Sequence, residues 1–276
     1  AHLARPQARI QPGGSRLEAA NLDPITNKFE RGDLHTGVEA SQASGTSIFD
    51  PVLCELAYTW FSPPGGIVLD PFAGGSVRGI VAARLGRMYT GVDLSAQQVA
   101  ANVVQGAAIV PDNVPTWIVG DSVTDQPDMQ ADFVFSCPPY ADLEIYSDDP
   151  RDISQMDFIS FLGAYRTIIA QAVARLKDDR FACFVIGDVR DKGGIYRNLV
   201  SETIAAFEAT GARLYNEAIL VTAVGSLPIR VGKQFAGGRK LGKTHQNVLV
   251  FIKGDWRKAV QACGPVEVAL PQELLP

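Results

Sequence analysis

Residues 67 to 75 read Ile67-Val68-Leu69-Asp70-Pro71-Phe72-Ala73-Gly74-Gly75, and Ser76 opens an apolar-periodic stretch behind them. An apolar run that ends in an acid, a proline and a glycine pair is how a buried parallel strand reads where it turns sharply into a helix. Glycines at such a turn let the backbone come close to a ligand at the strand's carboxyl end. A second sharp stretch, Phe135-Ser136-Cys137-Pro138-Pro139-Tyr140, lies further along, where another apolar strand runs into a stiff proline turn.

On either side of the glycine turn, strands and helices alternate. Asp50 and Pro51 predict the start of a helix to about Phe61, with Leu53, Leu56, Ala57 and Trp60 on its inner face. Strands are expected over 67–69, 88–92, 117–119, 132–135 and 181–186. Helices are expected behind Ser76, behind Ser95, over 158–176 and over 199–210. The last strands, 218–224 and 247–252, have no helical pattern between them and read as an antiparallel edge pair. The fold class is therefore α/β, a mostly parallel Rossmann-like sheet with helices on both faces and an antiparallel edge hairpin. Three parts are expected: an arm or loose extension at 1–45, the main domain at 46–256, and a weakly patterned tail at 257–276.

The chain has 276 residues, 46% of them apolar, with a net charge of −5 and a pI near 5.3. That excludes a uniformly basic surface, so a polyanion must meet a local patch. No apolar run reaches the roughly 18 residues of a membrane span, and no charged-then-apolar leader is read at the start. The four cysteines form no CxxC pair and have no nearby His cluster, which argues against a metal site. Three of them lie in apolar surroundings and read as core. With no disulfide pattern, a reducing cytoplasm is the expected location.

Asp70, Asp93, Asp121 and Asp188 fall at or just after strand ends, where ligands bind in open α/β sheets. Asp93 follows the turn by the roughly 20 residues at which an acid commonly holds ribose hydroxyls. A phosphate-bearing cofactor is the rival, but neither GxGxxG nor GxxxxGK[ST] is present. A nucleoside with a cationic amino-acid tail suits the pattern better. Asp70, placed before the turn, either meets that amine or orders the loop. In the second stretch the prolines remove donors and leave carbonyls free, while Tyr140 offers a flat face. This combination suits the exocyclic amino group of a base drawn out of a duplex.

Residues 67–75 resemble the cofactor motif DPFxGSG of amino-directed DNA methyltransferases, and Cys137-Pro138-Pro139-Tyr140 resembles their catalytic motif, (D/N/S)PP(Y/F/W). Gly91-Val92-Asp93 and Gly120-Asp121-Ser122 resemble the ribose and adenine stations. Ser47-Ile48-Phe49-Asp50-Pro51 resembles the segment at the methionine end. The likeness covers roughly 46–254, and the whole is similar to methylases found in phage and prophage genomes, with restriction-modification as the implied setting.

The resemblance implies S-adenosylmethionine as cofactor, held by Phe49, Asp50, Asp70, Pro71, Phe72, Ala73, Gly74, Gly75, Ser76, Asp93, Leu94, Asp121 and Ser122. It implies catalysis at Cys137, Pro138, Pro139 and Tyr140, with no metal. The sequence departs from the motif where Cys137 takes the place of Asp, Asn or Ser. A thiol accepts weakly, so either carbonyls or Ser136 do more of the orienting. Ser136 tilts the reading slightly to cytosine N4 over adenine N6. Nothing beside Cys137 in sequence favours a thiolate, which argues against a nucleophilic role.

Arg230, Lys233, Arg239, Lys240, Lys243 and His245 lie in a glycine-rich, acid-free segment that reads as a pliant loop able to hold phosphates of double-stranded DNA. His245 or Gln246 is also in a position to reach bases or phosphates. The acid-rich stretch 141–157 reads as a loop or mobile lid. A homodimer is compatible with the sequence. The alternatives are an RNA base N-methyltransferase and an inactive nucleic-acid-binding module on the same fold.

Overall fold

The computed structural model describes residues 48–140, 146–221 and 227–266. The arm expected over 1–45, Ser47, Asp142, Glu144 and the tail from 267 onward lie outside the described residues, as does the side chain of Arg230. In chain order the elements are α1 (Pro51–Phe61), β1 (Ile67–Asp70), α2 (Val77–Arg84), β2 (Met88–Asp93), α3 (Ala96–Ile109), β3 (Thr116–Val119) and β4 (Ala131–Ser136). After a short 3-10 turn at Ile153–Gln155 come α4 (Phe158–Arg175), β5 (Leu176–Ile186), α5 (Leu199–Glu208), β6 (Arg213–Val221), α6 (Leu227–Gly238), β7 (His245–Lys253) and α7 (Trp256–Cys263).

The strands form a single sheet in the order β3-β2-β1-β4-β5-β7-β6. The first five run parallel, and β7 pairs antiparallel with both β5 and β6. This is the α/β sheet with an antiparallel edge that the alternation predicts. Strand order reverses between β1 and β4, so the ligand crevice of such a sheet falls beyond the ends of those two strands.

Period-two alternation splits the core between the two faces. Val68, Phe133, Phe135 and Cys183 point into a cluster with α1, α2 and α7. Leu69, Val134, Ala182 and Phe184 point the other way, into a cluster with α4 and α5. All six residues of β4 are buried, as expected for a central strand covered on both faces.

Several expectations are corrected. On α1 the buried residues are Cys54, Ala57 and Tyr58, while Leu56 and Trp60 face outward. Tyr58 sets that rotation. Its ring packs edge-on against Phe133 and Phe135, and its hydroxyl donates to the Arg78 carbonyl at 2.9 Å. The segment read as a pliant loop contains α6. The stretch after Trp256 begins with α7, which buries Ala259 and Cys263. Asp255 caps that helix by accepting from Arg257 N–H at 2.8 Å. Strand β5 begins at Leu176, where the periodicity predicts the end of a helix, and Asp179 at φ 58° marks its irregular start.

Candidate functional site

The glycine turn leaves β1 and the proline turn leaves β4. These strands are paired in register, Leu69 opposite Val134, so both turns emerge side by side at the switch point. A buried hydrogen bond joins them: Ser136 Oγ donates to Asp70 Oδ1 at 2.5 Å and accepts from Phe72 N–H at 3.2 Å.

Asp70 is fully buried and surrounded by donors. Oδ1 also accepts from Phe72 N–H at 3.1 Å, and Oδ2 accepts from Arg78 Nε at 2.6 Å and Tyr89 OH at 2.8 Å. Arg78 then reaches on to the carbonyls of Phe72 and Ala73, at 2.6 and 2.9 Å, and its guanidinium lies 4.7 Å from the Phe49 ring centre. Burial alone would lower the Arg78 pKa, but the adjoining Asp70 carboxylate holds it above the ordinary value. Of the two roles open to Asp70, the geometry supports ordering the loop, because its oxygens face inward. Sequence reading missed Arg78, Tyr89 and Asn102, whose Nδ2 donates to the Gly74 carbonyl at 2.7 Å. An arginine two residues into the helix was the available signal for the first.

Ser136, considered as an acceptor for the substrate amino group, faces inward. Its side chain is fully buried and its hydroxyl is engaged by Asp70 and Phe72.

Gly74 adopts φ 50°, a left-handed conformation that suits glycine, and the space a Cβ would occupy there is open. Asp93, half-buried, closes the turn. Its Oδ2 accepts from Gly74 N–H and its Oδ1 from Ser95 N–H, both at 2.8 Å. Burial raises the Asp93 pKa, and the two N–H bonds offset part of that rise. Each carboxylate oxygen has a further lone pair. Leu94 is half-buried beside it. Asp121 folds into a tight turn, its Oδ1 accepting from Val123 N–H at 2.8 Å, and Ser122 Oγ donates to the Pro71 carbonyl at 2.5 Å. The β3 loop is thereby fastened to the β1 loop. Ser76 precedes α2 and its hydroxyl bonds Gln105 rather than capping the helix. Phe49 packs edge-on to Phe135 at 5.7 Å, and Asp50 is engaged as the α1 cap.

Tyr140 is half-buried, and its ring lies over Gly187 at the end of β5, where a Cβ would stand 3.5 Å from it. Its hydroxyl accepts from Gln246 Nε2 and lies within hydrogen-bonding reach of the Cys137 thiol. Burial, with Cys137 alongside, pushes the phenol well above its usual pKa. Gln246, considered as a base or phosphate contact, is instead engaged by Tyr140. Asp188 Oδ1 accepts from Val200 N–H at 3.2 Å at the start of α5.

Lys233, Arg239 and His245 are exposed, and Lys240 and Lys243 partly so. They follow one another along α6 and the connection into β7, the strand whose Gln246 reaches Tyr140. Arg239 stacks 5.0 Å from the Phe235 ring centre. Cys54, Cys183 and Cys263 are buried, and burial pushes the Cys54 thiol up to about 12. Among the described residues no cluster of metal-ligating side chains is found. Nor is any described helix long and apolar enough to cross a membrane.

The strand order and the glycine turn at its switch point define the Rossmann-like fold of S-adenosylmethionine-dependent methyltransferases. No protein-family model matches the chain, and no curated protein matches it in sequence. Among solved structures it is similar to TrmN from Thermus thermophilus, with TM-score 0.50 and 15% identity over 74% of this chain and 49% of TrmN. The chain thus spans about half of that protein's length. It is similar to a provisionally assigned RNA methyltransferase from Pyrococcus horikoshii, with TM-score 0.50 and 16% identity over 74% of this chain and 82% of that one. The [4+2]-cyclase SpnF matches at TM-score 0.51 and 13% identity, over 74% and 81% of the two chains. A cyclase on this fold shows that the reaction must be argued from the site.

Proposed function

We propose that the chain transfers a methyl group from S-adenosylmethionine to the exocyclic amino group of a base flipped out of double-stranded DNA. The observation that carries this reading is the pairing of the two turns: glycine turn and Cys137-Pro138-Pro139-Tyr140 side by side at the switch point, joined by the Ser136–Asp70 bond. The residues fit the cofactor. Gly74 leaves open space at the turn, and the half-buried Asp93 carries acceptors suited to vicinal ribose hydroxyls. Bound there, the cofactor supplies a methyl on a cationic sulfur, an electrophile that needs no metal.

The chain's own part is positioning. Prolines at 138 and 139 carry no N–H, so the turn presents carbonyls to an amino group's hydrogens and directs its lone pair toward the crevice. Tyr140, held by Gln246, supplies the plate on which the base stacks. The preference for cytosine N4 drew on Ser136, and the burial of that hydroxyl removes its ground. Cytosine and adenine therefore stand equal.

The test is transfer of labelled methyl to mixed-sequence duplex DNA, followed by digestion and nucleoside mass spectrometry. An N4-methylcytosine or N6-methyladenine product is expected. Transfer to RNA alone, or to no nucleic acid, overturns the reading. Stacking of a base on an aromatic ring contributes about 1–3 kcal/mol, so Tyr140→Ala is expected to lower turnover roughly 5- to 150-fold. Cofactor binding should survive the change.

A further inference from the structure

Past β5 the chain makes a small hairpin, 189–197, that none of the roles above uses. Arg190 and Tyr196 pair across it. Asp191 N–H donates to the Ile195 carbonyl and Arg197 N–H to the Val189 carbonyl, each at 2.9 Å. Asp191 Oδ1 accepts from Ile195 N–H at 2.9 Å, which closes the turn. Arg190 Nη1 donates to the Gly194 carbonyl at 2.8 Å, and its guanidinium stacks 3.8 Å from the Tyr196 ring centre. The hairpin is thus braced from within.

This braced tip holds Ile195 in water, 70% exposed. An exposed isoleucine is ordinary in itself; its setting is not. The hairpin starts two residues after Gly187, over which the Tyr140 ring lies. At about 3.3 Å per residue the stretch from Gly187 to Lys192 reaches at most roughly 16 Å, about half of the ≈ 34 Å helical turn of DNA. Lys192 is exposed on the tip. Lys240, from the basic segment, lies against Gly194, its Nζ in the space a Cβ would take. On the far side a cleft of about 500 Å³, lined by Met156 and Phe158 among others, separates the hairpin from the start of α4. The tip thus presents an exposed Ile195 with Lys192 and Lys240 beside it, while the Asp191 carboxylate is turned into the hairpin to close its turn.

We infer that the hairpin is a DNA wedge. Ile195 enters the base stack beside the target, while Arg190, Lys192 and Lys240 sit on the neighbouring phosphates. Apolar side chains inserted at base steps offset the loss of stacking when DNA is deformed, and extruding a base demands that offset only in a duplex. The inference rests on the reading that the chain acts on a base drawn out of DNA.

The experiment compares labelled-methyl transfer to mixed-sequence duplex DNA and to the same DNA after heat denaturation. Ile195→Ala is expected to slow transfer to duplex at least about tenfold and to single strands less than about twofold, because only the duplex must be opened. Ile195→Met, which keeps an apolar side chain at the tip, should restore most of the duplex rate. Equal losses on both forms, or no loss on duplex, overturns the wedge while leaving the function standing. A parent chain that methylates neither form overturns the function and the wedge together.

Discussion

Asp70 sits where a strand-end acid is expected, yet its chemistry is set by residues that a linear reading does not join to it. Arg78, Tyr89 and Ser136 come from α2, β2 and β4, and each donates to it in a site closed to water. The sequence left two roles open because the direction a carboxylate turns depends on such partners. The same holds for Ser136, which was legible as a hydroxyl next to the proline turn but not as one facing inward. Removing one partner of a buried ion pair leaves the other charge uncompensated, at a cost of about 3–5 kcal/mol. Arg78→Met is therefore expected to lower unfolding stability by about that amount, read from the urea midpoint. An unchanged midpoint would mean that Tyr89 and Ser136 alone suffice for Asp70.

At the scale of elements, the strands were the most legible part, because central parallel strands must be apolar throughout and end at glycine or acid. Helix α6 was hidden by its glycines, 232, 237 and 238, each costing helix stability of about 1 kcal/mol relative to alanine. Pro228 near its start was the counter-signal. Helix α1 was legible in extent but not in rotation, since Leu56 and Trp60 outweigh Cys54 in a hydropathy pattern while Tyr58 decides the packing. Of the basic run with described side chains, only Lys233 is held on the helix, while Arg239, Lys240 and Lys243 follow on its exit toward β7. Neutralising Lys233 and Lys243 to glutamine should weaken DNA binding and reduce the slope of log affinity against log salt by about 1 for each phosphate left without its lysine. A slope equal to that of the parent would place the phosphates elsewhere.

For the whole molecule, the proposal divides binding from chemistry across the switch point, with Asp93 on the cofactor side and Tyr140 on the base side. A ligand that binds only the folded state, at a hundred times its dissociation constant, adds about 2.7 kcal/mol of stability. In a domain of this size that corresponds to a rise in melting temperature of roughly 5–10 °C. S-adenosylmethionine is expected to produce this rise in the parent chain and in Tyr140→Ala, and to lose most of it in Asp93→Ala. The shift should also depend on pH in one direction. In the proposed role Asp93 would accept ribose hydroxyls with both oxygens only when ionised, so its contribution would be present above its pKa and lost as pH falls through it. Burial raises that pKa, so the loss begins at higher pH than an ordinary aspartate, near 3.9, would give. Melting curves with and without cofactor across the acidic range would read the effect against the ligand-free baseline. A shift that survives Asp93→Ala, or one that is flat across that range, would move the ribose away from the end of β2.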